Sequence, residues 1–171
     1  GAMPFSLIPD LILPALTDLT PQLLRARGIG LLLMDFDNTI VPYTTDVPTE
    51  PMQRWLREMQ ESGIRLCVVS NSKKPRVQVF CREYGLACIT HAKKPFQRGI
   101  CAAKEQYGLP PAQMALVGDQ IYTDVLGANC GGLTSILVRA IDNHNFWLKL
   151  RHVAELPFIA IGKRRIHHEK P

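Results

Sequence analysis

The chain has 171 residues, of which 46% are hydrophobic and 20% are charged, so its composition is that of one globular domain and excludes a disordered chain. Its five cysteines are odd in number and form no CxxC pair, which argues against a disulfide framework and against a zinc site. The net charge of +5 favours an anionic partner without identifying it. We expect a single domain over residues 1–171, in which Gly1 and Ala2 are an expression scar, and a cytoplasmic location where the cysteines stay reduced.

The N-terminal segment, residues 4–19, is apolar but is interrupted by Pro9 and Pro14. It is therefore too short and too broken to cross a bilayer as a helix. No basic residues precede the apolar run, so no signal peptide is evident. We predict that this segment covers one face of the domain core, with an interfacial membrane contact as the alternative.

Buried strands and helices alternate along the rest of the chain. Thr20 and Pro21 supply an N-cap and a first residue for a short helix that Gly28 ends. Strands are predicted at 31–34, 64–69, 87–90, 114–117 and 134–138, with helices that begin near residues 48, 75, 96 and 125, a last helix over 145–155 and a basic tail at 162–171. This alternation predicts an α/β fold, a three-layer Rossmann-like arrangement with a mostly parallel sheet and helices on both faces.

Polar side chains follow several predicted strands at the point where each strand ends. Asp35 and Asp37 follow the first buried strand, Ser70 the second and Asp119 the fourth, and Lys94 lies just beyond the third. A surface turn would explain any one of them, since aspartate is a common turn residue. The carboxyl ends of parallel strands meet at one edge of the sheet, however, so we expect these side chains to form one site.

Such a set of side chains is suited to phosphoryl transfer. Carboxylates that share a pocket repel one another unless a cation lies between them, and oxygen ligands select a hard ion, for which Mg²⁺ is expected. A lysine and a serine hydroxyl beside that ion can hold a phosphoryl group. One carboxylate can attack it to form an aspartyl-phosphate, and a second carboxylate two residues on can act as general acid and base.

Four motifs, in this order, resemble those of the haloacid-dehalogenase (HAD) superfamily of phosphohydrolases. They are DFDNT at 35–39, VVSNS at 68–72, AKKP at 92–95 and GDQIYTD at 118–124. More narrowly, they resemble the YqeG-like branch, which is related to the phosphatidylglycerophosphate phosphatases. The resemblance runs from about residue 19 to residue 138 and implies an HAD-like fold.

The resemblance also implies a role for each matching residue. Asp35 would be the nucleophile and Asp37 the general acid and base. The phosphoryl oxygens would be held by Thr39, Ser70, Asn71 and Lys94. Magnesium would be held by the Asp35 carboxylate, the Asp37 backbone carbonyl, Asp119 and Asp124. Asp124 could instead orient Lys94 or a metal-bound water, and Lys93 is the rival of Lys94, which is preferred because it directly precedes the proline.

The spacing of the motifs leaves no room for a cap domain, since the intervals from Thr39 to Ser70 and from Ser70 to Lys94 each hold one helix and one strand. An open site favours a phosphate carried on something large. Together with the resemblance to the phosphatidylglycerophosphate phosphatases, this implies hydrolysis of phosphatidylglycerophosphate, with Lys73, Arg76 and Tyr43 as candidate substrate contacts and with peripheral contact at the membrane surface.

Three alternatives stay open at this stage. A phosphoprotein would also suit an open site, and so would a polynucleotide, although nucleic acid is the less expected partner. A non-hydrolytic phospho-acceptor module on a similar scaffold could use Asp35 to carry a phosphoryl group as a signal. Asp37 argues against that module, because a general base nearby would shorten the life of the acyl phosphate.

Overall fold

The computed structural model describes residues 7–37, 39–42, 44–71, 75–90, 97–120 and 124–141. The strands within these ranges are β1 (Leu11–Leu13), β2 (Leu31–Asp35), β3 (Arg65–Val69), β4 (Ala87–Ile89), β5 (Met114–Gly118) and β6 (Thr134–Val138). The α-helices are α1 (Pro21–Ala26), α2 (Glu50–Glu61), α3 (Arg76–Glu83), α4 (Gln97–Tyr107) and α5 (Leu126–Gly131), and single 3-10 turns span Leu16–Asp18 and Pro111–Gln113. The predicted helix at 145–155 and the tail at 162–171 lie outside the described residues.

The six described strands form one sheet in the order β1-β6-β5-β2-β3-β4, and every pair of neighbours is parallel. The chain runs outward from β2 through β3 to β4 and then returns to β5 on the other side of β2. The order therefore reverses beside β2, which is where open α/β sheets bind their ligands. The predicted parallel sheet is confirmed.

Side chains alternate along β2 between two apolar clusters. Leu32 and Met34 pack in the cluster that contains residues of α1, α2 and α3, whereas Leu31 and Leu33 pack with residues of α4 and α5. Because both faces of the strand are covered, its residues from 31 to 34 are fully buried. Helices on both faces of the sheet give the three predicted layers.

The N-terminal segment packs against one face of the core as predicted, with Leu16 and Leu19 buried in the cluster that contains residues of α1, α2 and α3, but it also contributes a strand that was not predicted. Residues 11–13 form the edge strand β1, which pairs in parallel with β6. Asp10 secures its start: the Asp10 side chain accepts hydrogen bonds from the backbone and hydroxyl of Ser135, at 2.9 and 3.1 Å. Prolines on either side limit the strand to three residues, which suits an edge position.

The chain segments that join β2 to β3 and β3 to β4 are short. Among the described residues, α2 is the element between β2 and β3, and α3 is the element between β3 and β4. No cap domain lies in either interval of the described chain, as the motif spacing predicts. None of the helices in the described ranges is long and apolar enough to cross a membrane.

Candidate active site

Three polar residues meet where the central strands end. Asp35 is the last residue of β2 and lies opposite Val69 of β3, so Ser70 follows at the same edge. Met34 lies opposite Val117 of β5, which brings Asp119 to this edge from the other side. The structure therefore places Asp35 between β3 and β5, at the point where the strand order reverses.

Three carboxylates gather at this edge, and we call them the acidic cluster: Asp35, Asp119 and Asp124. One oxygen atom of each lies within 4.8 Å of the others. Asp35 and Asp124 expose only 4% and 1% of their surfaces, so their mutual repulsion is weakly screened by solvent. Oxygen donors at this spacing fit a hard divalent cation, whose ligands lie at about 2.0–2.6 Å from the metal.

Gly118 determines where the Asp124 carboxylate can lie. A Cβ atom at Gly118 would stand 2.2 Å from Asp124 Oδ2 and 2.3 Å from its carboxyl carbon, so only a residue without a side chain fits. The Gln120 backbone N–H donates to the same Oδ2 at 3.0 Å. Gly118 and Gln120 thus hold Asp124 against the end of β5, a role of Gly118 that no sequence pattern predicts.

Thr39 lies beside the acidic cluster. Its buried hydroxyl donates to Asp119 Oδ1 at 3.5 Å. The backbone N–H of Ile40 donates to the carbonyl of Phe36 at 3.1 Å, which closes a turn directly after β2. The structure therefore gives Thr39 a place next to a carboxylate of the cluster, and its contact with phosphate remains a prediction.

Asp37 is bound by an arginine from another element. Arg76, at the start of α3, donates from Nη1 to Asp37 Oδ1 at 2.6 Å. Its Nε and Nη2 donate to Asp46 Oδ1 at 2.8 and 2.5 Å, and its Cζ lies 5.0 Å from the centroid of the Phe36 ring. We call these four residues the Arg76 network. Asp46 lies in the loop before α2, where no sequence periodicity singles it out.

The charge of Arg76 is well compensated within this network. Burial alone would lower the pKa of Arg76, but the hydrogen bonds and charges of Asp46 and Asp37 outweigh it and raise that pKa. The Arg76 and Asp37 side chains are 26% and 30% exposed, so solvent still reaches the pair. The structure gives Arg76 two carboxylate partners within the protein, and its expected contact with the substrate stays a prediction.

The remaining predicted site residues fall into two groups. Ser70 is buried at the edge, where its backbone N–H donates to Ile89 O at 2.9 Å, and Asn71 after it is exposed. The others lie outside the described residues and stay predictions: Tyr43, Lys73, Lys93 and Lys94.

Residues 13–132 match the family model of the haloacid dehalogenase-like hydrolases. The probable phosphatase YqeG of Bacillus subtilis (strain 168) is 30% identical over 161 residues, which are 94% of this chain and 94% of that protein. The chloroplastic phosphatidylglycerophosphate phosphatase 1 of Chlamydomonas reinhardtii is 24% identical over 143 residues, which are 78% of this chain but 53% of that protein.

Solved structures share the fold at lower identity. One is the cobalt-bound deoxy-D-mannose-octulosonate 8-phosphate phosphatase of Haemophilus influenzae, with a TM-score of 0.52 and 13% identity over 80% of this chain and 91% of that chain. The match to the family model and the likeness to YqeG each extend over most of the sheet and the candidate site. The chain belongs to the haloacid dehalogenase-like hydrolases, and within them it is a phosphatase.

Proposed function

We propose that the protein is a magnesium-dependent phosphomonoesterase that dephosphorylates phosphatidylglycerophosphate through an aspartyl-phosphate on Asp35. The observation that carries the proposal is the position of Asp35 at the end of the central strand, within 4.8 Å of two further carboxylates. A nucleophile held next to a cation site can meet a phosphoryl group whose charge that cation balances.

The proposed reaction has two steps, formation of the aspartyl-phosphate and its hydrolysis. An Asp35 oxygen attacks phosphorus, the phosphorus–oxygen ester bond breaks, and Asp37 gives its proton to the leaving oxygen. A water molecule then attacks the aspartyl-phosphate and gives a proton to Asp37, while the bond between phosphorus and Asp35 breaks and inorganic phosphate leaves. Asp35 and Asp37 both return to their starting forms.

Binding residues complete the proposed site. Asp35, Asp119, Asp124 and the Asp37 backbone carbonyl would hold Mg²⁺, which supplies positive charge to the transferring phosphoryl group. The phosphoryl oxygens would be held by Thr39, Ser70, Asn71 and Lys94. The buried position of Ser70 supports this assignment, since it is fixed at the edge that carries Asp35.

Two observations support a lipid substrate. The described chain has no cap domain, so a phosphate on a large carrier can reach Asp35. Two exposed apolar side chains, Val47 and Val79, are placed close to the Arg76 network: Val47 follows Asp46 in sequence, and Val79 lies one turn after Arg76. A cleft of about 400 Å³ beside Val79 is lined by Asp46, Pro75, Arg76, Val79, Phe80 and Glu83.

The likeness to the chloroplastic phosphatidylglycerophosphate phosphatase supports the same substrate. Lys73 and Tyr43 remain proposed substrate contacts, and Lys73 is proposed for the second, phosphodiester charge of this lipid because it follows Ser70 closely in the sequence. The protein would meet its substrate as a peripheral protein at the membrane surface.

A substrate panel tests the proposal. Phosphate release is measured with Mg²⁺ on phosphatidylglycerophosphate in vesicles, on its short-chain soluble form, on phosphopeptides, on 5′-phosphorylated oligonucleotides and on an aryl phosphate. We expect the highest kcat/KM on the lipid. A higher value on phosphopeptide or oligonucleotide would replace the lipid assignment, and a stable phosphorylated Asp35 without release of phosphate would favour the phospho-acceptor alternative.

A further inference from the structure

We infer that Arg76 is a positioning residue that holds the Asp37 carboxylate at the reaction centre, and that Asp46 keeps Arg76 in place. The inference rests on the proposed function, in which Asp37 is the general acid and base. Arg76 itself takes no part in proton transfer and acts only through Asp37.

The hydrogen bonds of the guanidinium fix its plane. Nε and Nη2, on one side of the planar fork, both donate to Asp46 Oδ1, which leaves Nη1 directed at Asp37 Oδ1. An arginine held at one side of its fork cannot rotate its other side without breaking those bonds. Asp46 therefore orients the N–H group of Arg76 that donates to Asp37. No hydrogen bond among the described residues joins Asp46 to Asp37 directly.

Phe36 limits the remaining freedom of Arg76. The guanidinium lies over its ring at 5.0 Å, and the Phe36 ring meets Phe80 edge-on at a centroid distance of 4.9 Å. Phe36 is fully buried, and Phe80 exposes 2% of its surface. Arg76 and Phe80 both belong to α3, one turn apart, so this helix fixes the segment that contains Asp35 and Asp37 at two points.

The charge balance favours positioning over substrate binding. Among the described residues, the positive charge of Arg76 faces the two carboxylates of Asp37 and Asp46, and a substrate anion that attracted Arg76 would draw it away from both. An aspartate that must rotate toward a leaving oxygen loses rate when its side chain is free to take other rotamers. Arg76 and Asp46 together reduce that freedom.

The test compares Arg76→Ala, Arg76→Lys and Asp46→Asn with Arg82→Ala, which removes an exposed arginine from the same helix. The kcat and KM of each variant are measured with Mg²⁺ on a series of aryl and alkyl phosphates with increasingly poor leaving groups. A poor leaving group needs its proton in the transition state, whereas a good one does not.

We expect Arg76→Ala to lower kcat by about a hundredfold on the poorest leaving group but only a few-fold on the best, with KM little changed. Asp46→Asn should show the same leaving-group dependence at smaller size, and the double variant should be no worse than Arg76→Ala alone. Arg76→Lys should recover part of kcat, and Arg82→Ala should behave as the parent does. Thermal unfolding midpoints show whether each variant is folded at the assay temperature.

Several results would overturn the inference while leaving the proposed function intact. An equal loss on all leaving groups would show a merely structural role, and a loss confined to KM on the lipid would show a substrate contact. A rise in kcat would show that Arg76 restrains Asp37 instead of positioning it. If the parent protein itself releases no phosphate from any substrate of the series, the proposed function fails and the inference falls with it.

Discussion

Two groups of aspartates surround the candidate site, and their charges are accommodated differently. In the acidic cluster, three carboxylates from β2, from the end of β5 and from the segment before α5 approach one another within 4.8 Å. In the Arg76 network, two carboxylates from the chain between β2 and α2 share one guanidinium. The first arrangement offers the oxygen ligands that a divalent cation needs, whereas the second is built around a guanidinium. Changes to the two groups should therefore respond differently to added metal.

The largest effect should follow from Asp35→Asn, because an amide cannot form the aspartyl-phosphate. We expect turnover to fall by more than about a thousandfold while the chain remains folded. Phosphate release and far-ultraviolet circular dichroism check the two parts. Turnover within about tenfold of the parent, a difference of ~1.4 kcal/mol in the barrier, would show that Asp35 is not the nucleophile.

The next largest effect should come from metal removal, and the metal requirement should change in variants of the acidic cluster but not in variants of the Arg76 network. Chelation should abolish activity, Mg²⁺ should restore it, and Ca²⁺ should restore it poorly because its larger and more variable coordination shell disturbs the geometry of attack. Asp119→Ala should raise the Mg²⁺ concentration needed for half activity by at least about tenfold. Asp46→Asn is the control, and its metal requirement should match that of the parent. Full activity in chelator would contradict the metal site.

In Asp37→Asn, the attack of Asp35 on a substrate that has a good leaving group should be largely intact, but hydrolysis of the phosphorylated enzyme should be slower. We expect a loss of about a hundredfold or more on a poor leaving group. Mass spectrometry after brief mixing should find phosphate on Asp35. Equal losses on both kinds of substrate, without any phosphorylated protein, would remove the acid and base role from Asp37.

Gly118→Ala tests how the cluster is assembled. The new methyl group would overlap the Asp124 carboxylate, so that side chain must move, and we expect a loss on the order of tenfold in kcat/KM together with weaker use of Mg²⁺. Gly30→Ala is a matched control, since Gly30 lies just before β2 and a Cβ atom there meets nothing within 4 Å. Parent-like metal use by Gly118→Ala would mean that Asp124 is dispensable for the metal.

The smallest effect should appear in stability. Asp119→Asn keeps the shape of the side chain and an acceptor for Thr39 but removes one of the three carboxylates of the proposed Mg²⁺ site, so the stabilisation that the metal adds should become smaller. Asp46→Asn should instead lower Tm slightly, because an exposed pair contributes less than about 1 kcal/mol. Added Mg²⁺ should raise the Tm of the parent more than that of Asp119→Asn. Scanning calorimetry of the parent and both variants, with and without Mg²⁺, measures these midpoints.

The sequence predicted those parts of the site that depend on strand ends. Asp35 and Asp119 each follow an apolar run that is typical of a buried strand, and parallel strands bring their carboxyl ends to one edge of the sheet. The sheet and its two helical layers followed from the same alternation. The family resemblance, confirmed by the family model and by YqeG, then supplied the expected roles.

The parts that were missed depend on contacts between segments without any periodic signal. Arg76 reaches Asp46 across 30 residues of sequence, and neither residue stands at a position that a hydrophobic pattern fixes. The strand β1 was missed because three apolar residues between two prolines are too few for a recognisable alternation. The role of Gly118 is steric, and it emerges only when the position of Asp124 is known.

The pairing of β1 with β6 has a consequence for how the chain folds as it is synthesised. Asp10 forms hydrogen bonds with Ser135, so the contacts that secure β1 join residues that lie 125 positions apart in the sequence. The earliest of the described strands to leave the ribosome must therefore wait until the last one has been made, while β2 can meet β3 much sooner. During that interval the apolar residues of β1 lack their native neighbour, and chaperones that bind short hydrophobic segments would find them there.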